Sequence, residues 1–332
     1  MTKVFTIDEV KSLITMEDVV ESVDRTFRGL AEGTVINPTK VTLDLGESAP
    51  YPPYDGFFNA MPAYIGYEDY AGIKWVGGIL GERRKAGLPF ICGMILLANP
   101  RLGKFLAVMD GAYITNLRTG AQTAVTLRHI FNDRKSIRLG LYGCGMQGHT
   151  QTLAISKVFD IEELRIYDAY PPAAVKFKED MKDVVKGDII ICNEARDACR
   201  GDAVITVTQA RDGFMKADWV QPGTIVFPMG SYKEVDDAVI LQADAIVVDH
   251  VGQALHRGAL HELVEKGRLT EKNITTTIGE LALGTAVLGD ISKKRVVCIP
   301  IGTGAMDVAV AGIVYERGVA KGMGTDFDIT GE

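Results

Sequence analysis

The sequence of 332 residues lacks features that several classes of protein need. Its five cysteines have no C-x-x-C spacing and no paired histidines nearby, so neither a disulfide framework nor a zinc site is indicated. No apolar run approaches the roughly 20 residues of a membrane-spanning helix. The first residues lack the basic and then apolar stretch of a signal peptide. We therefore expect free thiols in a reducing cytoplasm, no bound metal and no membrane partner.

An excess of basic charge is also missing. The formal net charge is −7, which argues against a nucleic-acid partner because such proteins need a basic face. Two short basic runs, Arg83–Lys85 and Lys293–Arg295, are expected to be solvated loop charge. Apolar residues make up 47% and charged residues 24%, which is typical of a globular chain. The length favours two domains.

The pattern of apolar residues changes along the chain. Thr6 and Glu9 have the spacing of a helix capping box, and residues 16–30 repeat apolar positions at helical intervals. Short β-like runs separated by glycine, proline and acidic turns follow between residues 36 and 110, and predict a mostly antiparallel sheet. Residues 115–130 are then expected to form a helix.

A second pattern begins at Ile137. Short apolar runs alternate with helical segments, which is typical of a parallel sheet covered on both faces. The chain ends with a glycine-rich turn at 302–304 and an apolar helix. The expected strands cover residues 137–142, 163–167, 189–192, 203–207, 224–227 and 245–249.

A glycine motif connects the first of these strands to a helix expected from about His149. In this G-x-G-x-x-G motif, Gly143 makes the tight turn, Gly145 lets the backbone approach a pyrophosphate, and Gly148 allows close packing of helix on strand. The helix N-terminus offers N–H groups and its positive dipole end to phosphates. The motif alone is a weak signal, and its position between strand and helix makes it stronger.

Asp168 ends the next strand at roughly the 20-residue spacing of a ribose-binding acid. A carboxylate there accepts hydrogen bonds from a ribose 2′-hydroxyl and repels a 2′-phosphate, so we expect NAD(H) rather than NADP(H). Thr208 follows a later strand and is expected beside the cofactor, although an ordinary strand-ending threonine is an equally good interpretation.

Three cations precede this region and are candidates for binding an anionic substrate. Lys74 and Arg118 lie in apolar, glycine-flanked stretches, where a buried cation is costly unless it is paired. A substrate carboxylate would pair with them, and Arg118 could hold it with two hydrogen bonds. The alternative is a structural ion pair with an acidic side chain. For Lys40 that alternative is favoured on the sequence alone.

With these motifs in place, the chain resembles the ornithine cyclodeaminase/mu-crystallin family over nearly its full length. The most specific matching segment is MDGAYITNLRTGA at Met109–Ala121. The other segments that carry the resemblance are Met61–Tyr64 (MPAY), Gly72–Lys74 (GIK), Tyr142–Gly148 (YGCGMQG), Glu280-Leu281 before Gly284, and Ile301–Ala311 (IGTGAMDVAVA).

The resemblance implies a homodimer of two-domain subunits. It implies a Rossmann-type, doubly wound α/β domain for NAD(H) at residues 125–308, and an α+β domain for substrate binding and dimerisation at 1–124 with 309–332. It also implies that Lys74 and Arg118 are catalytic and bind the substrate together with Lys40, where the family usually has arginine. The implied cofactor-binding residues are Gly143, Gly145, Met146, Gln147, Gly148, Asp168, Thr208, Gly230, Ser231, Lys233, Gly302 and Thr303.

One segment departs from the family pattern. Cyclodeaminases have a catalytic aspartate after a glycine, followed by Pro-Gly-Lys, whereas this chain has PMGSYKEVDD with no acid before Glu234. Ser231, which we place among the catalytic residues, or Tyr232 occupies the position of the aspartate, and Lys233 matches the family lysine. The lack of that acid makes ornithine cyclisation doubtful and leaves hydride transfer intact.

The sequence therefore predicts an NAD(H)-dependent oxidoreductase acting on an L-amino acid or its imine. Two alternatives stay open. One is a redox-neutral cyclodeaminase or amino-acid conjugate synthase that uses bound NAD, and the other is a non-catalytic, crystallin-like protein that binds a small ligand. Residues 48–58 are rich in proline and aromatics and are expected to be an insertion that shapes specificity, or else a surface or dimer loop.

Overall fold

The computed structural model describes residues 1–46, 54–230, 232–328 and 331. The chain forms two compact units: residues 1–118 with 303–332, and residues 119–302. The boundaries expected from the sequence, after residues 124 and 308, lie a few positions further along. Most of the expected insertion at 48–58 falls outside the described residues, and its last three residues begin a strand.

The chain up to the first boundary is mainly β-structure with helices at both ends. Its elements are β1 (Thr2–Phe5), α1 (Ile7–Leu13), α2 (Met16–Glu32), β2 (Val35–Ile36), β3 (Val41–Asp44), β4 (Gly56–Ile65), β5 (Tyr70–Ile79), α3 (Gly81–Lys85), β6 (Ile91–Asn99), β7 (Lys104–Asp110) and α4 (Ala112–Phe131).

The central part of the chain alternates strands and helices, and the last helix returns to the first unit. The elements are β8 (Ser136–Tyr142), α5 (Met146–Ser156), β9 (Asp160–Tyr167), α6 (Pro171–Met181), β10 (Asp188–Ile191), α7 (Ala195–Ala198), β11 (Ala203–Thr206), β12 (Ile225–Pro228), α8 (Asp237–Leu241), β13 (Ala245–Val248), α9 (Val251–Ala254), α10 (His261–Glu265), β14 (Thr276–Thr277), α11 (Ile278–Leu283), β15 (Val296–Ile299), α12 (Gly304–Ala320) and β16 (Thr325–Phe327).

The sheet of the first unit has the strand order β16-β1-β7-β6-β5-β4-β2, with β3 also paired to β4. The antiparallel meander β4 to β7 is the one predicted from the sequence. β1 was not predicted, and it joins β7 in parallel. A four-residue strand with a mixed polar and apolar pattern is too short to be recognised by periodicity.

The first two helices of this unit begin where the sequence provides caps. Thr6 and Glu9 form the predicted capping box of α1, and Thr15 and Asp18 form a second box before α2. The basic run Arg83–Lys85, expected in a loop, lies in the short helix α3, none of whose side chains is buried. Arg84 and Lys85 are exposed as expected, whereas Arg83 is half-buried and donates to the carbonyl of Pro89. The expected loop conformation was wrong.

One face of the antiparallel sheet is covered by α12, which contacts β4 and β5. Gly72 permits this close packing, because a Cβ there would lie 3.0 Å from the Val308 side chain. The opposite face carries large apolar side chains that are more than half exposed in this chain: Val41, Leu43, Trp75 and Met94.

The sheet of the second unit is parallel, with the order β10-β9-β8-β11-β12-β15-β13-β14. All the strands predicted in this region are present, and they form a Rossmann-type doubly wound sheet. The order runs outward in both directions from β8, so the neighbours of β8 are β9 and β11. In such sheets, ligands bind at the carboxyl ends of the strands where the order reverses.

No described helix is long and apolar enough to cross a membrane. In the same parts of the chain, no group of three or more histidine, cysteine or acidic side chains is arranged to hold a metal ion.

Candidate functional site

Lys74 lies in the middle of β5, on the face of the sheet that α12 covers. Its partner across the ladder is Met61 of β4. The first residue of α12, Gly304, packs on the carbonyl of Met61 so closely that a Cβ would clash with it. The first turn of α12 is therefore held directly over Lys74, whose side chain is 1% exposed.

This first turn delivers a buried carboxylate to the lysine. Asp307 Oδ2 lies 2.6 Å from Lys74 Nζ, and its Oδ1 lies 3.2 Å from Nε of Arg118. Thr115, one turn before Arg118 on α4, donates its hydroxyl to the same Oδ1 at 3.3 Å. The structure therefore brings together the two predicted cations and adds an acid that the sequence analysis did not select.

The cluster has more positive than negative charge. Lys74 and Arg118 share the single carboxylate of Asp307, and the charge of Lys40 also acts on Lys74. Burial and, after it, the positive charge of Arg118 lower the pKa of Lys74, and Asp307 opposes both effects, so that the resulting pKa is about 7. Lys74 can therefore gain or lose a proton near neutral pH.

Lys74 and Arg118 thus pair with an acidic side chain, Asp307, which is the alternative interpretation of these two cations given above. This pairing does not make the site neutral, because one acid faces two buried bases. A signal for Asp307 was present in the sequence, since it is an acid inside the apolar run GAMDVAVA. Its partner could not be inferred because 189 positions separate it from Arg118. Lys40 is half-buried just before β3.

The glycine motif follows β8 in the second unit. Gly143 has φ +98°, which favours glycine, and a Cβ there would lie 2.7 Å from the Val207 carbonyl. A Cβ at Gly148 would clash with the carbonyl of Gly143. Gly145 caps the helix α5, which begins at Met146 rather than near His149 as expected, because the turn ends at that glycine.

The loop leaves its backbone accessible where a pyrophosphate would need it. A Cβ at Gly145 would meet no described atom within 4 Å, and Gly145 and Met146 are exposed. The N-cap residue of α5 is a glycine, so no side chain caps the first turn of the helix. A helix N-terminus without a side-chain cap is suited to bind a phosphate. Gln147 is half-buried in the same turn.

Asp168 follows β9 at the same edge of the sheet. One carboxylate oxygen accepts from the backbone N–H of Cys144, and the other accepts from that of Tyr170, both at 2.8 Å. Each oxygen has a second lone pair, so the carboxylate can hold the glycine loop and still accept from a ribose hydroxyl.

The loops after β11 and β12 meet at a second buried acid, Glu234. Its carboxylate accepts from the backbone N–H of Thr208 at 2.5 Å and from that of Gly230 at 2.6 Å. Lys233 points away, since its Nζ lies 2.7 Å from Asp237 and 3.2 Å from Glu262. Ser231 lies outside the described residues.

A third buried acid repeats the arrangement after β13. Asp249 accepts from the backbone N–H of Gly302 at 2.6 Å, which fixes the glycine-rich turn predicted from the sequence. Thr303 is fully buried, and its hydroxyl has no hydrogen-bond partner among the described residues. A buried polar atom without a partner is costly unless a ligand or water supplies one.

The second unit thus has the turn, the helix N-terminus and the strand-ending acid that a dinucleotide needs, at the point where the strand order reverses. These features fit NAD(H). Fold and site define a Rossmann-type protein of the NAD(H)-dependent class, with a separate α+β unit that carries a buried lysine and arginine.

Comparison with known proteins supports this assignment. The model of the ornithine cyclodeaminase/mu-crystallin family matches residues 1–322. The alanine dehydrogenase of Archaeoglobus fulgidus is 35% identical over 327 residues, which are 98% of this chain and 97% of that protein. The chain belongs to the ornithine cyclodeaminase/mu-crystallin family, and the resemblance found in the sequence is confirmed.

Solved structures with the same fold hold the expected cofactor. An archaeal alanine dehydrogenase dimer with bound NAD has a TM-score of 0.90 and 34% identity, covering 99% of both chains. The Δ1-pyrroline-2-carboxylate reductase of Thermococcus litoralis, in complex with NADH and L-proline, has a TM-score of 0.90 and 28% identity, covering 98% of this chain and 100% of the other. These relatives are dehydrogenases or reductases of amino and imino acids, the class that the sequence predicted.

Proposed function

We propose that the protein is an NAD(H)-dependent oxidoreductase that interconverts an L-amino acid and its imine. The observation that carries the proposal is the buried cluster of Lys74, Arg118 and Asp307, with its excess positive charge and a lysine whose pKa is about 7. In this proposal residues 1–118 with 303–332 bind the substrate, and residues 119–302 bind the nucleotide.

The positive excess gives the substrate carboxylate a place to bind. Arg118 donates to Asp307 through Nε, and the other nitrogens of its planar guanidinium can donate to a second anion. Lys40 adds positive charge near Lys74. A carboxylate bound here would leave the cluster of two basic side chains and Asp307 electrically neutral, which lowers the cost of burying it.

Lys74 moves the proton that the reaction requires. In its neutral form it accepts a proton as an amino acid is oxidised, and in its charged form it donates one as an imine is reduced. Asp307 keeps the lysine nitrogen in place during both steps, since the two groups are only 2.6 Å apart.

The nicotinamide cofactor supplies the hydride acceptor or donor, and the chain supplies its binding site. The residues that would hold it are those at the carboxyl edge of the parallel sheet, namely the loop Gly143–Gly148, Asp168, Thr208, Gly230 and the turn at Gly302. The Asp168 carboxylate favours NAD(H) over NADP(H), because it repels a 2′-phosphate.

The test is absorbance at 340 nm with purified protein and NAD⁺ or NADH. One panel contains L-amino acids, and the other contains 2-oxo acids with ammonia or methylamine and cyclic imino acids. Turnover of cofactor with members of either panel is the expected result, and the best substrate then names the reaction. No cofactor turnover with either panel would refute the proposal.

An ammonia assay with diamino acids tests the redox-neutral alternative in the same samples. Ammonia release without NADH accumulation would identify a cyclodeaminase. We expect none, because the segment Pro228–Asp237 has no acid before Glu234.

We further propose that the protein is a homodimer joined through the exposed face of the antiparallel sheet. Val41, Ala60, Trp75 and Met94 are register partners across four strands, so they form one row on that face. Trp75 is 57% and Met94 59% exposed in the single chain. An apolar face of this kind on a protein in water marks an interface, and the archaeal relative with bound NAD is described as a dimer.

Sedimentation velocity of the wild type and of Trp75→Glu tests this interface. A charge in the middle of a buried apolar face should convert the dimer to monomer. Val287→Glu changes a side chain that is 84% exposed in the second unit and should leave the dimer intact. A Trp75→Glu protein that sediments like the wild type would place the interface elsewhere.

We also propose that the protein works in the cytoplasm. All five cysteines are free thiols in the structure, four of them buried. Unpaired thiols persist in a reducing compartment.

A further inference from the structure

The carboxyl ends of β11 and β12 diverge just beyond their last ladder pair, Thr206 and Pro228. One further backbone hydrogen bond, from Met229 to Thr206, joins them at 2.9 Å. The next amides, of Thr208 and Gly230, face each other across a gap that the sheet no longer closes. Buried amides in such a gap need an acceptor.

Glu234 fills that gap with a single carboxylate. Its Oε1 accepts from the N–H and the hydroxyl of Thr208, and its Oε2 accepts from the N–H of Gly230 and the hydroxyl of Thr206. Four donors, one at the end of β11 and three in the two loops, therefore converge on one side chain that is 1% exposed. Burial raises the pKa of Glu234, and the hydrogen bonds from Thr208, Thr206 and Gly230 oppose that effect.

The backbone around Glu234 is itself anchored. Gly213 donates to the carbonyl of Lys233 at 2.8 Å, and Met215 donates to the carbonyl of Glu234 at 3.2 Å. Val235, the next residue, pairs with Met215 as a parallel bridge and is buried. The carboxylate is thus presented from a fixed segment.

Gly230 packs directly against the carboxylate of Glu234. A Cβ at this position would lie 2.5 Å from Cδ and from Oε2 of Glu234 and 2.9 Å from the carbonyl of Thr208. Gly230 does not have a positive φ, so backbone conformation is not the reason for glycine here. The reason is the close approach of the Glu234 carboxylate.

We infer that Glu234 is a positioning residue that joins the loop after β11 to the loop after β12 and so holds the nucleotide-facing edge of the sheet in its binding conformation. The inference rests on the proposed function, in which Thr208 and Gly230 belong to the cofactor site. Glu234 acts on the cofactor only through these two loops.

Glu234→Gln tests the inference with little change in size. A glutamine has one acceptor oxygen, so its NH₂ group must face the N–H of either Thr208 or Gly230. Two readouts are needed. Hydrogen exchange of the peptides covering 206–210 and 228–230, in protein without nucleotide, should accelerate at least about tenfold, and the Kd for NADH, measured by fluorescence titration, should rise at least about tenfold.

Gly230→Ala is a second variant that keeps the carboxylate. Its Cβ displaces Glu234, so both readouts should move in the same direction as in Glu234→Gln. This variant also keeps the inference testable if Glu234→Gln does not fold.

Asp202→Asn is the matched control. Asp202 is a buried carboxylate of the same unit that accepts from the backbone N–H of Arg138 at 2.8 Å, but it precedes β11 at the opposite edge of the sheet. We expect it to lower the melting temperature and leave NADH affinity unchanged.

The outcomes separate this inference from the proposed function. Wild-type protein that does not bind NADH refutes the proposed function. Wild-type protein that binds NADH, together with variants whose loop exchange is unchanged, overturns the inference. Variants with faster loop exchange and wild-type NADH affinity also overturn it, because Glu234 then has a purely structural role.

Discussion

The carboxylates of the candidate site have different kinds of partner in the two units. In the first unit Asp307 pairs with charged side chains, Lys74 and Arg118, within 3.2 Å. In the second unit Asp168, Glu234 and Asp249 pair with backbone N–H groups of glycine-rich loops. An acid facing cations tunes charge, whereas an acid facing amides fixes the shape of a loop.

The type of sheet explains the difference. Lys74 lies in the middle of an antiparallel strand with ladder partners on both sides, Met61 and Ile95, so the backbone there is already paired. Only side chains remain to interact. At the carboxyl edge of a parallel sheet the ladder ends, and the loops present unpaired amides. Acidic side chains can accept hydrogen bonds from these amides.

The largest effect is expected from substitutions in the cluster of Lys74, Arg118 and Asp307. Lys74→Met removes the proposed proton carrier and keeps most of the apolar volume of the side chain, and Arg118→Ala removes the proposed anion-binding group. Each should lower kcat/KM on the order of 1000-fold, within the range of lost acid–base catalysis. NADH affinity, measured by fluorescence, should survive, because neither residue belongs to the second unit.

A matched control for both variants is Arg84→Ala, which removes an exposed cation of the first unit. Its kcat/KM should equal that of the wild type. Near-normal turnover of Lys74→Met or Arg118→Ala would remove these residues from the reaction.

Asp307→Asn should have the next largest effect and acts on stability as well as activity. It leaves Lys74 and Arg118 buried without their carboxylate, and breaking such a pair costs about 3 kcal/mol. Urea unfolding measures this loss. Because Asp307 raises the pKa of Lys74, the variant should also shift the Lys74 limb of the pH–rate profile below its wild-type position near pH 7. A shift to higher pH would contradict the assigned pair.

Asp168→Asn tests an acid of the second unit that accepts from the backbone of the glycine-rich loop. The amide still accepts one hydrogen bond but no longer repels a 2′-phosphate. We expect the ratio of NADPH to NADH affinity to rise about tenfold, with kcat on the preferred cofactor much less affected than in the Lys74 variant. Equal affinity ratios in variant and wild type would show that residues other than Asp168 discriminate between NADH and NADPH.

The smallest effect is a pH dependence of stability. Lys74 has a pKa of about 7 in the folded protein and an ordinary value of 10.5, so between these values the unfolded chain holds the proton that the folded chain lacks. The free energy of unfolding of the wild type relative to Lys74→Met should therefore rise with pH above 7, by at most about 1.4 kcal/mol per pH unit. Urea titrations at two pH values between 7.5 and 9 measure this slope. A flat or falling difference would mean that Lys74 is charged when folded.

Most of the fold could be predicted from the sequence because its signals are local. The strand–glycine turn–helix at Gly143–Gly148 and the strand-ending Asp168 lie within one short segment and obey known geometry. The antiparallel meander was predicted from turns and alternation. β1 and β16 were missed, since their pairing depends on contacts between the two ends of the chain.

The candidate site was predicted in part. Lys74 and Arg118 stand out as cations in apolar surroundings, and the structure brings them together. Asp307 and the loop-fixing roles of Glu234 and Asp249 were missed, because each depends on which distant groups the fold places beside a buried acid. In the sequence, Glu234 stands out only as the first acid of the segment Pro228–Asp237.

The unit that carries the cation cluster is assembled from two segments, residues 1–118 and 303–332, and the Rossmann-type unit lies between them in the sequence. During synthesis, Lys74 and Arg118 leave the ribosome long before the helix that brings Asp307. The Rossmann sheet can form while the cation cluster still lacks its acid, and the C-terminal segment completes it. A chain that ends before residue 303 has every strand of the parallel sheet but lacks Asp307, so the Lys74–Arg118–Asp307 cluster can assemble only after this last segment has been translated.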